Sequence, residues 1–245
     1  SFNINEGDKI AIVAKNGSGK TTLLNILMGK DFADSGMVII NKDIQVVLFD
    51  QEIHFESGQT ITEFIMSLDS PPMQALRNYQ KSLTSDDSEF MERAFIEMEN
   101  QKAWGLENEM KQILSQLKIT DLNAKMDNLS GGQIKRVALA KLLIETRVEH
   151  KHTLLIMDEP TNHLDVDMVE WLEQYLSRAM VTLLLVTHDR YFLDSVCDII
   201  WEIEDKKLYV HHGAYAQYLE NKSIREENLN ATIDKANNLY RKELE

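Results

Sequence analysis

The sequence holds 245 residues, with 40 acidic against 26 basic side chains and a formal charge of −14 with histidines neutral. A composition of 43% hydrophobic and 27% charged residues excludes a disordered chain, and the length is ample for a buried core. One cysteine, Cys197, excludes an internal disulfide and a cysteine-cluster metal site, and the acid surplus argues against wholesale nucleic-acid binding through phosphate contacts.

In chain order, Ser1-Phe2-Asn3-Ile4-Asn5 alternates polar and apolar residues and reads as a strand. The chain opens on Ser1 rather than Met, so the expectation is a domain entered from within, with sequence upstream. Lys9-Ile10-Ala11-Ile12-Val13 is a short β-branched run suited to a buried strand, and a Gly-rich loop and a helix over 21–28 follow, with Gly29 placed to end the helix. Strands are expected at 37–40 and 45–49. Between 60 and 128 helical periodicity dominates, with helices over 89–103 and 107–117 and a break at Ser70-Pro71-Pro72. A helix over 132–145, a strand over 153–157, a helix over 165–178 and a strand over 181–186 then restore α/β alternation, which implies parallel strands with crossover helices. Strands near 198–203 and 207–211 close the core, and 214–245 reads as one long polar helix. No apolar run reaches the ~20 residues that a bilayer span needs, and no secretory leader opens the chain, so a soluble cytoplasmic protein with no membrane partner is expected.

Ala14-Lys15-Asn16-Gly17-Ser18-Gly19-Lys20-Thr21-Thr22 joins a strand to a helix. Glycines there let successive amides turn inward as an anion nest at a helix N-terminus, with Lys20 reaching the phosphates and the Thr21 hydroxyl available to Mg²⁺. Ala14 stands where the P-loop pattern has glycine; at negative φ this costs little, and at positive φ roughly 1 kcal/mol. Asp158-Glu159 ends an apolar strand, where α/β sheets gather ligands. In a P-loop protein Asp158 then serves the metal and Glu159 accepts a proton from an attacking water. His150, His152, His211 and His212 lack ligand spacing and are read as solvated, Cys197 as a core residue, and the methionines as packing.

Leu129-Ser130-Gly131-Gly132-Gln133, ahead of a helix, resembles the signature of the ATP-binding-cassette (ABC) ATPases. The resemblance covers essentially the whole chain and implies a P-loop NTPase α/β cassette over 1–213 with a helical subdomain insert, a helical linker from 214, and ATP and Mg²⁺ as ligands. It implies that Asn16, Gly17, Ser18, Gly19, Lys20, Thr21 and Thr22 bind nucleotide, and that Gln51 senses metal and water. By the same resemblance Asp165 is the D-loop aspartate and His188 the switch histidine. Ser130, Gly131, Gly132 and Gln133 would close over the nucleotide of a partner cassette.

Glu159-Pro160-Thr161-Asn162-His163-Leu164-Asp165 and Thr187-His188-Asp189-Arg190-Tyr191-Phe192-Leu193 are similar to strings of the ABC-F branch. That branch carries two cassettes on one polypeptide, joined by a long helical linker, and many members act on the ribosome. The resemblance therefore implies a first cassette with the root of the linker, a second cassette of the same polypeptide as partner, and ribosomal RNA or protein as partner of the whole. It also implies that the cassette alone is a weak ATPase that self-associates weakly, and that the family's adenine-stacking aromatic lies upstream of Ser1. The alternative is the energy-coupling subunit of a membrane transporter. A chromosome or repair clamp is disfavoured, because an insert of about 70 residues is too short for a long coiled coil.

Overall fold

The computed structural model describes residues 2–15, 17–49, 53–148, 152–204 and 207–243. Its centre is a six-stranded sheet of β1 (Lys9–Ala14), β2 (Ile44–Phe49), β3 (His152–Asp158), β4 (Thr182–Val186), β5 (Ile199–Glu204) and β6 (Lys207–His212), in the order β2-β3-β4-β1-β5-β6. All neighbours run parallel except β5 and β6. Both faces are covered, which is why these strands read as unbroken apolar runs. Alternation divides them cleanly. Ile10, Ile12, Leu154, Ile156, Leu184, Val186 and Trp201 pack with Leu24 and Leu27 of helix α1 (Lys20–Leu27), while Ala11, Leu155, Met157, Leu183, Leu185 and Ile200 enter the larger core on the other face.

That larger core is shared with the helical insert: α2 (Ile61–Met66), α3 (Pro71–Ser82), α4 (Ser88–Asn100) and α5 (Leu106–Gln116). Met73, Met98, Met110 and Met126 are buried there, as packing requires. The expected break is present, between the end of α2 at Met66 and the start of α3 at the di-proline sequence. Pro71 and Pro72 occupy the first turn of α3, where no intrahelical N–H bond is lost, and Ser70 caps the end. Helix α6 (Gly131–Val148) then leads into β3, α7 (Val166–Arg178) joins β3 to β4, and α8 (Arg190–Val196) joins β4 to β5. Gly29 ends α1 at φ 68°, with Gly29 N–H donating to Ile26 O and Lys30 N–H to Asn25 O, the paired bonds of a Schellman motif.

Two expected strands are absent. Residues 2–5 are irregular, Ser1 lies outside the described residues, and the Phe2 ring meets Trp201 at 4.7 Å instead. Residues 37–40 are also irregular, with Met37 and Ile39 81% and 82% exposed. The physical reason is shared: an alternating segment becomes a strand only beside another, and neither finds one among the described residues.

The long C-terminal helix α9 (Tyr215–Glu243) is tied to the sheet at its root. Glu202 on β5 is 2% exposed and accepts from Lys222 Nζ and Arg225 at 2.6 Å each and from the Tyr218 hydroxyl at 3.2 Å. Its His211 neighbour corrects the sequence expectation. That imidazole is only 10% exposed, with Nε2 3.4 Å from Glu202, rather than solvated. His152 is exposed but pairs with Glu6 at 2.5 Å, and His150 lies outside the described residues. Burial pushes the Glu202 carboxyl up, but the Lys222 and Arg225 bonds outweigh it and hold the group below the usual glutamate range. Its contribution to stability is therefore complete at neutral pH and is lost as pH falls through the carboxylate range. Glu202→Gln should destabilise by about 2–4 kcal/mol at pH 7, and the gap from wild type should close as pH drops below about 4, measured by urea unfolding.

Candidate functional site

The parallel register aligns the carboxyl ends of β3, β4 and β1: Asp158 lies opposite Val186, and Val186 opposite Ile12. Residues just beyond these ends are brought together. After β1 comes the phosphate-loop candidate, after β3 the Asp158-Glu159 pair, and after β4 Thr187 and His188.

Gly17 at φ 77° and Gly19 at φ 95° are left-handed, and open space lies where a Cβ would project from either. Ser18 N–H donates to Lys15 O, and Gly19 supplies the cap position of α1. Lys20 Nζ folds back to donate to Ala14 O at 2.9 Å and Lys15 O at 3.3 Å, as an ammonium aimed at a loop of carbonyls does before an anion competes for it. Ser18 Oγ is buried with no hydrogen-bond partner among the described residues. Ala14 is not among the residues of positive φ, so the missing glycine imposes no backbone strain. Thr21 and Thr22 are exposed in the first turn of α1. Asn16 and Gln51 lie outside the described residues.

Glu159 adopts φ 50°, an unusual conformation for a residue with a side chain, and its N–H is held by Val186 O at 2.8 Å. This swings the carboxylate back over the sheet edge. There Oε2 accepts a long bond from Thr187 Oγ1 at 3.4 Å, and Oε1 sits 3.7 Å from His188 Nε2, buried and without a hydrogen-bond partner among the described residues. The Glu159 side chain is 17% exposed and the His188 ring 70%. A half-buried base beside an open imidazole can position a water against a phosphate. Asp158 ends β3 half-buried.

Ser130 and Gln133 form a reciprocal cap at the start of α6: Gln133 N–H donates to Ser130 Oγ at 3.3 Å and Ser130 N–H to Gln133 Oε1 at 2.8 Å. Among the described residues they make no hydrogen bond with the phosphate loop. The loop leans the other way, with the Cβ position of Gly132 only 3.4 Å from His163. Asp165 caps α7, accepting from Met168 N–H at 3.1 Å, and pairs with Lys118 at 2.6 Å. The Lys118 hydrogen bond holds the Asp165 carboxyl below its usual range, and the same bond raises the ammonium. Thr187 and Lys118 carry no role in the sequence reading. Thr187 follows a buried strand and bonds both Glu159 and Asp189 N–H, which its position beside His188 could have suggested. Lys118 meets its partner across a long stretch of chain and has no local signal.

Buried orphan oxygens on Ser18 and Glu159, together with a cradle that no Cβ fills, fit a bound polyphosphate and its cation. The family pattern described as ABC transporter matches residues 1–162. An uncharacterized ABC transporter ATP-binding protein of Bacillus subtilis, YfmR, is 40% identical over all of this chain and 39% of its own length. The energy-dependent translational throttle protein EttA of Haemophilus influenzae is 35% identical over 98% of this chain and 44% of its own length. The chain thus spans about two fifths of these relatives. A dimeric bacterial ABC transporter cassette superposes with a TM-score of 0.58 at 22% identity, covering 86% of this chain and 88% of that one, which shows the shared fold. Gly19→Ala should cost about 1 kcal/mol in urea unfolding through the forced positive φ and should weaken pyrophosphate binding in calorimetric titration.

Proposed function

We propose, from the premise that the chain belongs to the ABC transporter family of ATP-binding cassettes, that residues 1–213 form a cassette that hydrolyses ATP at an interface completed by a second cassette. ATP hydrolysis is the general activity of this family, and the throttle-protein similarity supports its ABC-F branch. The observation that carries the reading is the buried, unpartnered Glu159 Oε1 beside His188, at the strand ends that also carry the phosphate loop.

In this reading Gly17–Lys20 amides and the Lys20 ammonium grip the phosphates of the substrate, and Asn16 and Thr22 add further contacts to it. Thr21, Asp158 and Gln51 would hold Mg²⁺, which when bound neutralises phosphate charge. Glu159 takes a proton from the attacking water as it forms its bond to the γ-phosphorus, and the bond to the bridging oxygen breaks to give ADP and phosphate. His188 contacts the terminal phosphate and Thr187 steadies the base. Ser130, Gly131, Gly132 and Gln133, which among the described residues make no hydrogen bond with this chain's own phosphate loop, would serve a partner's nucleotide. Asp165 meets the partner across the same interface. ATP then joins the cassettes and hydrolysis parts them, a two-state switch biased by the γ-phosphate.

We assign 214–245 as the start of an inter-cassette linker and the whole polypeptide as a cytoplasmic protein that acts on the ribosome. The translational role in the throttle protein's name and its 35% identity support this over the transporter-subunit reading. Glu159→Gln should lower phosphate release ~10²–10⁴-fold while ATP affinity is kept; an unaltered rate would remove Glu159 as the base. In the whole natural polypeptide the same substitution should make co-sedimentation with ribosomes ATP-dependent. Recovery with membranes, indifferent to nucleotide, would favour the transporter subunit.

A further inference from the structure

Lys118 follows α5 and adopts φ 54°, a left-handed conformation that glycine would enter freely and that a lysine enters at a cost. The same turn closes α5, with Lys118 N–H donating to Ser115 O and Ile119 N–H to Leu114 O. From it the side chain reaches the start of α7, on the same face of the sheet, where Nζ donates to Asp165 Oδ2 at 2.6 Å and approaches Asp167 Oδ2 at 3.5 Å. The other oxygen of Asp165 is already engaged as the cap of α7. One carboxylate therefore joins the end of an insert helix to the start of the helix that follows Glu159.

A second cation acts from the same side. Arg136, on α6 just beyond the signature loop, lies close enough to draw the Asp165 carboxyl further toward its charged form. Lys118, Gln133 and Arg136 line one small hollow of about 200 Å³ against α6. A Cβ at Gly132 of α6 would lie 3.4 Å from His163, itself left-handed at φ 69°. The segment 159–165 is thus held at both ends, by Val186 at Glu159 and by the insert's Lys118 at Asp165.

We propose that Lys118 is a positioning residue for ATP hydrolysis: by holding Asp165 it fixes the Glu159–Asp165 segment to the helical insert, so that the signature loop and the catalytic base keep one relative placement. It touches no substrate and acts through Asp165. Both partners are about half exposed, at 49% and 48%, so the pair adds little to global stability. Its effect is on geometry. The proposal rests on the reading of the chain as a composite-site ATPase, and its test separates the two.

Lys118→Gly keeps the left-handed turn and removes the ammonium; Lys118→Arg keeps the charge. In Lys118→Gly the Met168 amide should exchange its hydrogen about ten-fold faster as the cap loosens. In the whole natural polypeptide, kcat for ATP should fall about ten-fold with KM unchanged. Lys118→Arg should restore both. Unchanged exchange and unchanged kcat in Lys118→Gly would overturn the proposal, as would a rise in KM alone. A lowered melting temperature that Lys118→Arg does not rescue marks a merely structural lysine and also overturns it. Should the wild-type protein not hydrolyse ATP, the ATPase reading falls, and exchange at Met168 alone decides whether Lys118 holds the loop.

Discussion

A parallel sheet buried on both faces leaves its strands no place for polar side chains except their ends. That constraint organises this molecule. β3 and β4 are sealed by the larger core on one face and by α1 on the other, so the acid pair, the threonine and the imidazole all emerge beyond the carboxyl edge. Register then does the rest. Because Asp158, Val186 and Ile12 lie level across three neighbouring strands, groups far apart in sequence meet without any long loop to bring them together. The left-handed turn at Glu159 finishes the arrangement by returning its carboxylate over that edge instead of letting the chain run outward.

Glu202 departs from this rule and shows what a departure requires. It sits within a strand, almost fully buried, and is tolerated because two cations and a phenol from one helix converge on it. The tyrosine contributes through its environment as well. Burial pushes the Tyr218 hydroxyl up to about 12, so it remains a donor to the carboxylate at any physiological pH. The C-terminal helix is therefore held by a specific polar network as well as by apolar contact, which fixes its direction and its rotation together.

Much of this was legible in the sequence, for reasons that differ by residue. β-branched runs announced the central strands, and the Gly17-Ser18-Gly19-Lys20 spacing announced the nest, because both are local demands of the backbone. The cap bonds of Asp165 and Ser130 are local, because their own neighbours supply the N–H groups they accept. The failures are equally physical. Residues 37–40 have strand composition but no strand beside them, and a strand is a property of pairs. His211 carries no local mark of burial, because the helix that covers it lies in a different element. Lys118 and Asp165 meet only through the packing of the insert on the core, which periodicity does not encode. The break at Ser70-Pro71-Pro72 was legible because proline ends one helix and can open the next at its first turn.

α9 is a rod of 29 residues, about 43 Å long at 1.5 Å per residue. Its fulcrum is the Glu202 network, and Glu204 extends that network to Lys15, whose Nζ lies 3.4 Å away beside the phosphate loop. A rod so mounted is a lever: about 32 Å of it lies beyond Lys222, so a tilt of about 5° there sweeps the far tip through about 3 Å. Displacements too small to disturb the packing of the sheet thus become, at the distal end, shifts of more than half the spacing between neighbouring strands.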